Sequence, residues 1–290
     1  MSVPTSPAPP DPFDRKALAR NAERARSIAA RGAHEGADFL LRLALDDIAE
    51  RIGAVERRFE RAVVVDPPVP SVAERLAEVD RIAAIEEARS VPDGRLPLER
   101  GGHDLVVSVM ALHTVADVPG FLAQATRALM PDGLFIAVLP GGETLRELRA
   151  ALLEAESAVT GGASPRVFPF IDVRDGGALL QRAGLALPVA DLDRLTVRYA
   201  DPLALMAEIR AMGMANALAA RDRRFLSRAV LMEAARLYAE THADEDGRVR
   251  ATFDLVSLSG WRPHESQQRP LAPGSARASL ADALGDRSKD

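Results

Sequence analysis

The sequence contains no cysteine, which removes disulfides, thiolate metal sites and a cysteine nucleophile together. No apolar run approaches the roughly 20 residues that a membrane-spanning helix needs. The first ten residues also lack the charged start and apolar core of a secretory signal, so the expectation is a cytoplasmic chain without a transmembrane segment. Basic residues are not in excess, since the net charge is −5, and this gives no reason to expect nucleic-acid binding. No glycine stands between Gly53 and Gly94, so that stretch holds no glycine turn. No metal site is expected either: His264 and Glu265 are sequence neighbours that point apart on an extended segment, and nothing indicates a third ligand. What is present is 290 residues, 47% of them hydrophobic, enough for one large core with an inserted lid.

The most informative stretch is 103–150, HDLVVSVMALHTVADVPGFLAQATRALMPDGLFIAVLPGGETLRELRA. Its residues 104–110 form a Val-rich run without a helical stripe, which reads as a strand buried on both faces. Asp117 then precedes a segment in which Phe121, Leu122, Ala125, Leu129 and Met130 recur at helical spacing, and this predicts a helix. Pro131-Asp132-Gly133 stops that helix, and 134–139 follow as a second buried strand. Strand, helix and strand with tight links imply parallel pairing through a right-handed crossover. Ligands in such sheets sit beyond the carboxyl ends of the strands. Those ends are Ala111-Leu112-His113-Thr114 and Pro140-Gly141-Gly142-Glu143-Thr144. On these residues alone, a pocket and a capped strand with a tight turn stand as equal readings.

The same stretch resembles the second half of a class I S-adenosylmethionine-dependent methyltransferase. Together with Gly161-Gly162-Ala163-Ser164-Pro165-Arg166, Leu179-Leu180-Gln181-Arg182-Ala183-Gly184 and Trp261-Arg262-Pro263-His264-Glu265-Ser266-Gln267-Gln268, it resembles the methyltransferase-fold family of mitochondrial complex I assembly factor 5 and its alphaproteobacterial relatives. The likeness runs from Phe13 nearly to the carboxyl terminus. It implies a Rossmann-like, doubly wound α/β domain with a mainly parallel sheet, S-adenosylmethionine as cofactor, and a protein partner among the subunits or assembly intermediates of respiratory complex I.

In that frame 62–66 is the first strand, ending at Asp66, the acidic residue that precedes the family's glycine turn. Here Pro67-Pro68-Val69-Pro70-Ser71 follows instead. Proline fixes its own torsion and removes an amide donor, so this turn cannot take left-handed geometry at those positions or offer those N–H groups. Ser71 is expected to cap a helix over 72–78. Residues 80–86 read as the second strand, with Glu86 where a family carboxylate holds the ribose hydroxyls. The span 87–103 is too short for a helix and a third strand, so both are expected to shrink to a loop around 92–97. The cofactor contacts implied by the resemblance are thus Asp66, Glu86, Leu112 and His113. Relatives carry Leu-His-Trp where this chain has Leu112-His113-Thr114, and an imidazole near neutrality can position or deprotonate an acceptor. They also carry Met-Gly-Glu-Ser-Asn where this chain has Met212-Gly213-Met214-Ala215-Asn216, which leaves Asn216 beside His113 as the polar groups facing the acceptor.

Elsewhere, 16–31 reads as an exposed basic helix, 38–59 as a helix packed on the sheet, and 143–159 as a helix opened by Gly141-Gly142. The loop 161–170 carries Phe168 and Phe170 toward the pocket mouth. A helix over 175–183, a strand over 191–199, a helical stretch over 201–242 broken at Gly213, and a last strand over 249–261 complete the chain. The expected organisation is a disordered lead 1–12, one domain 13–275 with a lid 201–245, and a flexible tail 276–290. Residues 261–275 are expected to fold back on the domain. Two functions fit: an S-adenosylmethionine-dependent methyltransferase acting on a protein in complex I assembly, or a non-catalytic assembly factor of the same fold that has lost its glycine-rich cofactor loop.

Overall fold

A computed structural model describes residues 10–32 and 36–268; most of the lead and the whole tail 276–290 lie outside the described residues. The Val-rich runs are buried throughout: β1 (Ala62–Val65) and β3 (His103–Val109) show no exposed position. β2 (Ile85–Ala88), β1, β3 and β4 (Leu129–Pro140) pair in parallel. The last strand in the chain, β6 (Val249–Trp261), runs antiparallel between β4 and β5 (Ala186–Tyr199). The six strands therefore lie in the order β2-β1-β3-β4-β6-β5. Among the described residues no strand lies outside β2, because the 14 residues between it and β3 form no helix or strand, as their number predicts.

Successive side chains of a strand point to opposite faces, and helices cover both. Leu105 and Val107 face a core built with α2 (Phe39–Gly53), α3 (Ser71–Ala77), α5 (Arg146–Thr160), α7 (Pro202–Ala211) and α8 (Arg228–His242). Val106 faces the other, with Phe121, Leu122 and Ala125 of α4 (Val118–Ala128) and Leu180 of α6 (Val173–Arg182). The first helix, α1 (Arg15–Ala30), rests on the turn that follows α7 through an Asn21 Nδ2 bond to Ala215 O of 2.6 Å.

Several boundaries differ from the sequence reading, each for a local reason. The second strand begins at Ile85 and not at 80, because Ile82 enters the core from a turn closed by its own N–H on Val79 O. The central helix stops at Ala128, before Pro131, and Leu129 already pairs with His103. Pro131-Asp132-Gly133 is a register shift within β4, with Asp132 at φ +61. A Cβ on Gly133 would lie 2.9 Å from Met130 O, so only glycine fits there. Helix α5 starts at Arg146, three residues late, because Leu145 is left-handed at φ +57. Ser71 is the first residue of α3 and makes no cap; the cap position is Pro70, which has no side-chain bond. The 201–242 stretch is two helices joined by irregular chain.

Of the segment 261–275 expected to fold back, residues 261–268 are described and do so, and 269–275 lie outside the described residues. Arg262 N–H donates to Gly133 O, Asp132 N–H donates to Arg262 O, and Gln267 Nε2 bonds Asp132 Oδ1 at 2.9 Å. Next to it, Asp104 is 5% exposed and accepts the Glu60 and Arg61 amides at 2.7 and 3.0 Å. Replacing it with Ala removes the acceptor of both part-buried bonds, so Asp104→Ala is expected to cost about 1–3 kcal/mol in urea unfolding with an unchanged m value.

Candidate functional site

The strands β1 to β4 run the same way, so their carboxyl ends lie along one edge of the sheet, the edge at which ligands of such sheets bind and which is called the crevice below. At the end of β1, Asp66 takes a left-handed conformation at φ +51. Its N–H donates to Ala88 O and its carboxylate accepts the Ser90 amide at 2.8 Å, which ties together the ends of β1 and β2. The turn that follows, Pro67-Pro68-Val69-Pro70, has one backbone donor in four residues, that of Val69. A glycine turn would present consecutive amides and a surface without Cβ atoms to the methionine part of S-adenosylmethionine. The residues present do not fit the cofactor in that manner.

Glu86 is not at a strand end. It pairs in register with Val63, two residues before the end of β2, and its carboxylate reaches back to His103 Nε2 at 2.7 Å, near the amino end of β3. That partner turns it away from the crevice, which corrects its assignment as a ribose ligand. Leu112 is also corrected: its side chain is 1% exposed and lies in the core with Phe121 and Leu122, leaving only its backbone near the crevice.

His113 does reach the site. It lies in a 3-10 turn (Leu112–Thr114) directly after β3. Its ring stands edge-on to Phe168, with centroids 6.1 Å apart, and 6.0 Å from Phe170. The aromatic loop expected over the pocket mouth is therefore packed on the histidine. Its Nδ1 is buried and has no hydrogen-bond partner among the described residues. Burial without a counter-charge disfavours the imidazolium and lowers its pKa to about 4. The ring is thus neutral at physiological pH, with its buried Nδ1 uncommitted.

The roof over this histidine comes from three distant segments. Phe13 packs on Phe168 with centroids 5.8 Å apart and bridges Leu218. Asp14 caps α1 through the Ala17 amide and pairs with Arg221 at 2.7 Å, which holds its carboxyl down at about 2. Arg15 donates to Thr114 O at 3.2 Å. Asn216 lies in the same roof, but both ends of its amide are taken: Nδ2 donates to Pro165 O at 2.8 Å and Oδ1 accepts the Leu218 amide at 3.0 Å. It ties the 161–170 loop to the roof, with one N–H and one lone pair of its amide already engaged there. The Ser164-Pro165-Arg166 motif is held by Glu156, which accepts from Ser164 N at 2.9 Å and pairs with Arg166.

Sequence reasoning missed two polar clamps at the far side of the crevice. Thr144 Oγ1 is 3.1 Å from Asp254 O and accepts the Asp254 amide, while Arg194 grips the buried Asp254 carboxylate with two bonds of 2.8 and 2.9 Å. Glu147 accepts the Thr252 amide at 3.1 Å. Gly141 is required beneath them, since a Cβ there would lie 2.9 Å from Asp254 Cβ. Only the glycine pair signalled this corner in the sequence.

The sequence matches the family described as a methyltransferase domain over residues 51–137. It is 34% identical to arginine-hydroxylase NDUFAF5, mitochondrial, of Danio rerio over 288 residues, covering 93% of this chain and 88% of that protein. It is 42% identical to the Homo sapiens protein of that name over 187 residues, 64% of this chain and 54% of the human one. Among solved structures it is similar to phosphoethanolamine N-methyltransferase 2 of Haemonchus contortus in complex with S-adenosyl-L-methionine, at 12% identity and a TM-score of 0.44, covering 76% of this chain and 52% of that one. The relatives are named as mitochondrial, which overturns the cytoplasmic location expected from the sequence. Looking for an export signal and a membrane span does not test for an organelle.

The low pKa of His113 has a measurable sign. An unfolded histidine, with a pKa of about 6.5, takes up its proton before the folded one does. Stability is therefore lost as pH falls from about 6.5 to about 4, by about 3 kcal/mol from this group. His113→Phe is expected to remove that part of the slope in denaturant melts across the same range; an unaltered slope would show that the ring is hydrated in the fold.

Proposed function

Because the chain belongs to the S-adenosylmethionine-dependent methyltransferase family, on the branch that holds the NDUFAF5 proteins, we propose that it acts on a protein partner in respiratory complex I assembly, at the roofed crevice beyond β3. The family brings with it the S-adenosylmethionine-binding fold. One observation carries the site: His113, neutral and with Nδ1 unengaged, is enclosed by Phe168 and Phe170 at the strand end where ligands of such sheets bind.

Each residue then has a task. His113 accepts a proton from, or orients, a donor group entering the crevice. Phe13, Phe168 and Phe170 keep water from it. Asn216 and Arg15 hold the roof segments and the histidine turn in register. Asp66 sets the spacing of the β1 and β2 ends, and is the one member of the predicted cofactor set other than His113 that lies at the crevice. In this reading the domain spans 13–275, and the inserted helices within 201–245 form its lid.

A second reading, an assembly factor of the same fold that does not load the cofactor, is favoured by the proline turn between β1 and α3. Calorimetric titration of S-adenosylmethionine into the full chain separates the two. Micromolar binding is the outcome expected of the first reading. No heat at millimolar cofactor, with complex I subunits still captured by the tagged protein from its own cells, would establish the second. Recovery of no such subunit would overturn the assembly role in both.

A further inference from the structure

We propose that one stripe of α1 is a docking surface for an acidic segment of a protein partner. The net charge of the chain is −5, yet residues 15–31 carry Arg15, Lys16, Arg20, Arg24, Arg26 and Arg31 against the single acid Glu23. The rest of the chain therefore carries a net charge of about −10, the −5 of the whole less the +5 of this stretch.

The arrangement on the helix is specific. α1 meets the body through Ala17 and Asn21, which are buried, and through Ala25, whose Cβ lies against Gly213. At about 100° per residue, Lys16, Arg20, Arg24, Ser27 and Arg31 fall on one stripe immediately beside that packed face. Arg15 and Arg26 fall on the far side and are neutralised by Asp11 and Glu23. Lys16, Arg20, Arg24 and Arg31 have no acidic partner among the described residues, and Arg20, Arg24, Ser27 and Arg31, with Glu23 and Ile28 at their side, line a shallow hollow of about 470 Å³. Like charges one turn apart destabilise an isolated helix, so the stripe works against the element that carries it unless a counter-charge is supplied from outside.

The occupant is a protein segment and not a lipid surface. A helix that lies in a membrane interface buries large apolar side chains beside its cations, whereas the exposed apolar positions of α1 are alanines and none of the exposed large hydrophobics of the fold belongs to it. From Arg20 to Arg31 the stripe is about 16 Å long at 1.5 Å per residue, the length of about five residues of extended chain. At its amino-terminal end Lys16 is next in sequence to Arg15, which lies off the stripe and bonds the carbonyl of Thr114 beside His113. An acidic segment laid along the stripe is therefore held next to the crevice mouth. This rests on the protein-partner reading above but not on cofactor binding.

The test uses the full chain and a fluorescein-labelled poly-glutamate peptide of about ten residues, followed by anisotropy. Binding is expected at about 0.05 M salt, weakened at least about tenfold by R20E/R24E/R31E and by raising salt to about 0.3 M. It should be weakened less by R20Q/R24Q/R31Q and be unchanged by R100E near the amino end of β3, with far-UV circular dichroism the same throughout. No binding by the parent chain, equal loss in R100E, or an unaffected triple variant would overturn the proposal. So would capture by vesicles containing phosphatidylglycerol without capture of the peptide. A failed cofactor titration leaves these outcomes unchanged, which keeps the two proposals separable.

Discussion

Burial of β3 on both faces is the constraint that the rest of the structure answers to. A strand with no exposed position must have its backbone groups paired on both edges, and β1 and β4 do this. It must also have apolar cover above and below, which α2, α5 and their neighbours give on one side and α4 and α6 on the other. Such a strand meets solvent only at its ends. The amino end is fastened by Asp104 to the segment before β1, and the carboxyl end runs into the turn that carries His113. The site lies where it does because no other part of the strand is reachable.

That end is then roofed by chain from three remote regions. Phe13 to Arg15, Phe168 to Phe170 and Asn216 to Arg221 come together over the histidine through one ion pair, one aromatic cluster and a few amide bonds. These links are mostly polar and partly exposed. Beneath them lies a small buried cluster of Ala17, Phe168, Ala217 and Leu218, separate from the two larger cores that flank the sheet.

The central strands, the crossover helix, the missing third strand and the existence of the last strand were legible because each depends on local pattern or on chain length, whereas the antiparallel direction of β6 was not. The family was legible from motifs, of which Gly161 to Arg166 and Trp261 to Gln268 proved to be the pieces clamped by Glu156 and by Asp132. What was not legible depends on pairing across long separations. Glu86 read as a strand-end acid because its partner His103 is invisible to periodicity. Asn216 read as a free amide because its partners, Pro165 and Leu218, belong to a loop and an irregular join. The strand expected at 80 failed for a different reason: a short apolar run does not distinguish an extended segment from a turn that drops one isoleucine into the core.

The place of β6 has a consequence for how the protein is made. Translation delivers β5 well before β6, yet β5 has no neighbour in the sheet except β6, and β4 lacks its second neighbour until then. A ribosome that has passed residue 248 therefore carries a sheet with one raw edge and a long detached strand bearing exposed Leu187, Val189 and Leu192. Both are templates for mispairing with another nascent chain. Both are closed together by the thirteen residues of β6, so a pause or truncation before residue 261 leaves the two edges exposed at once.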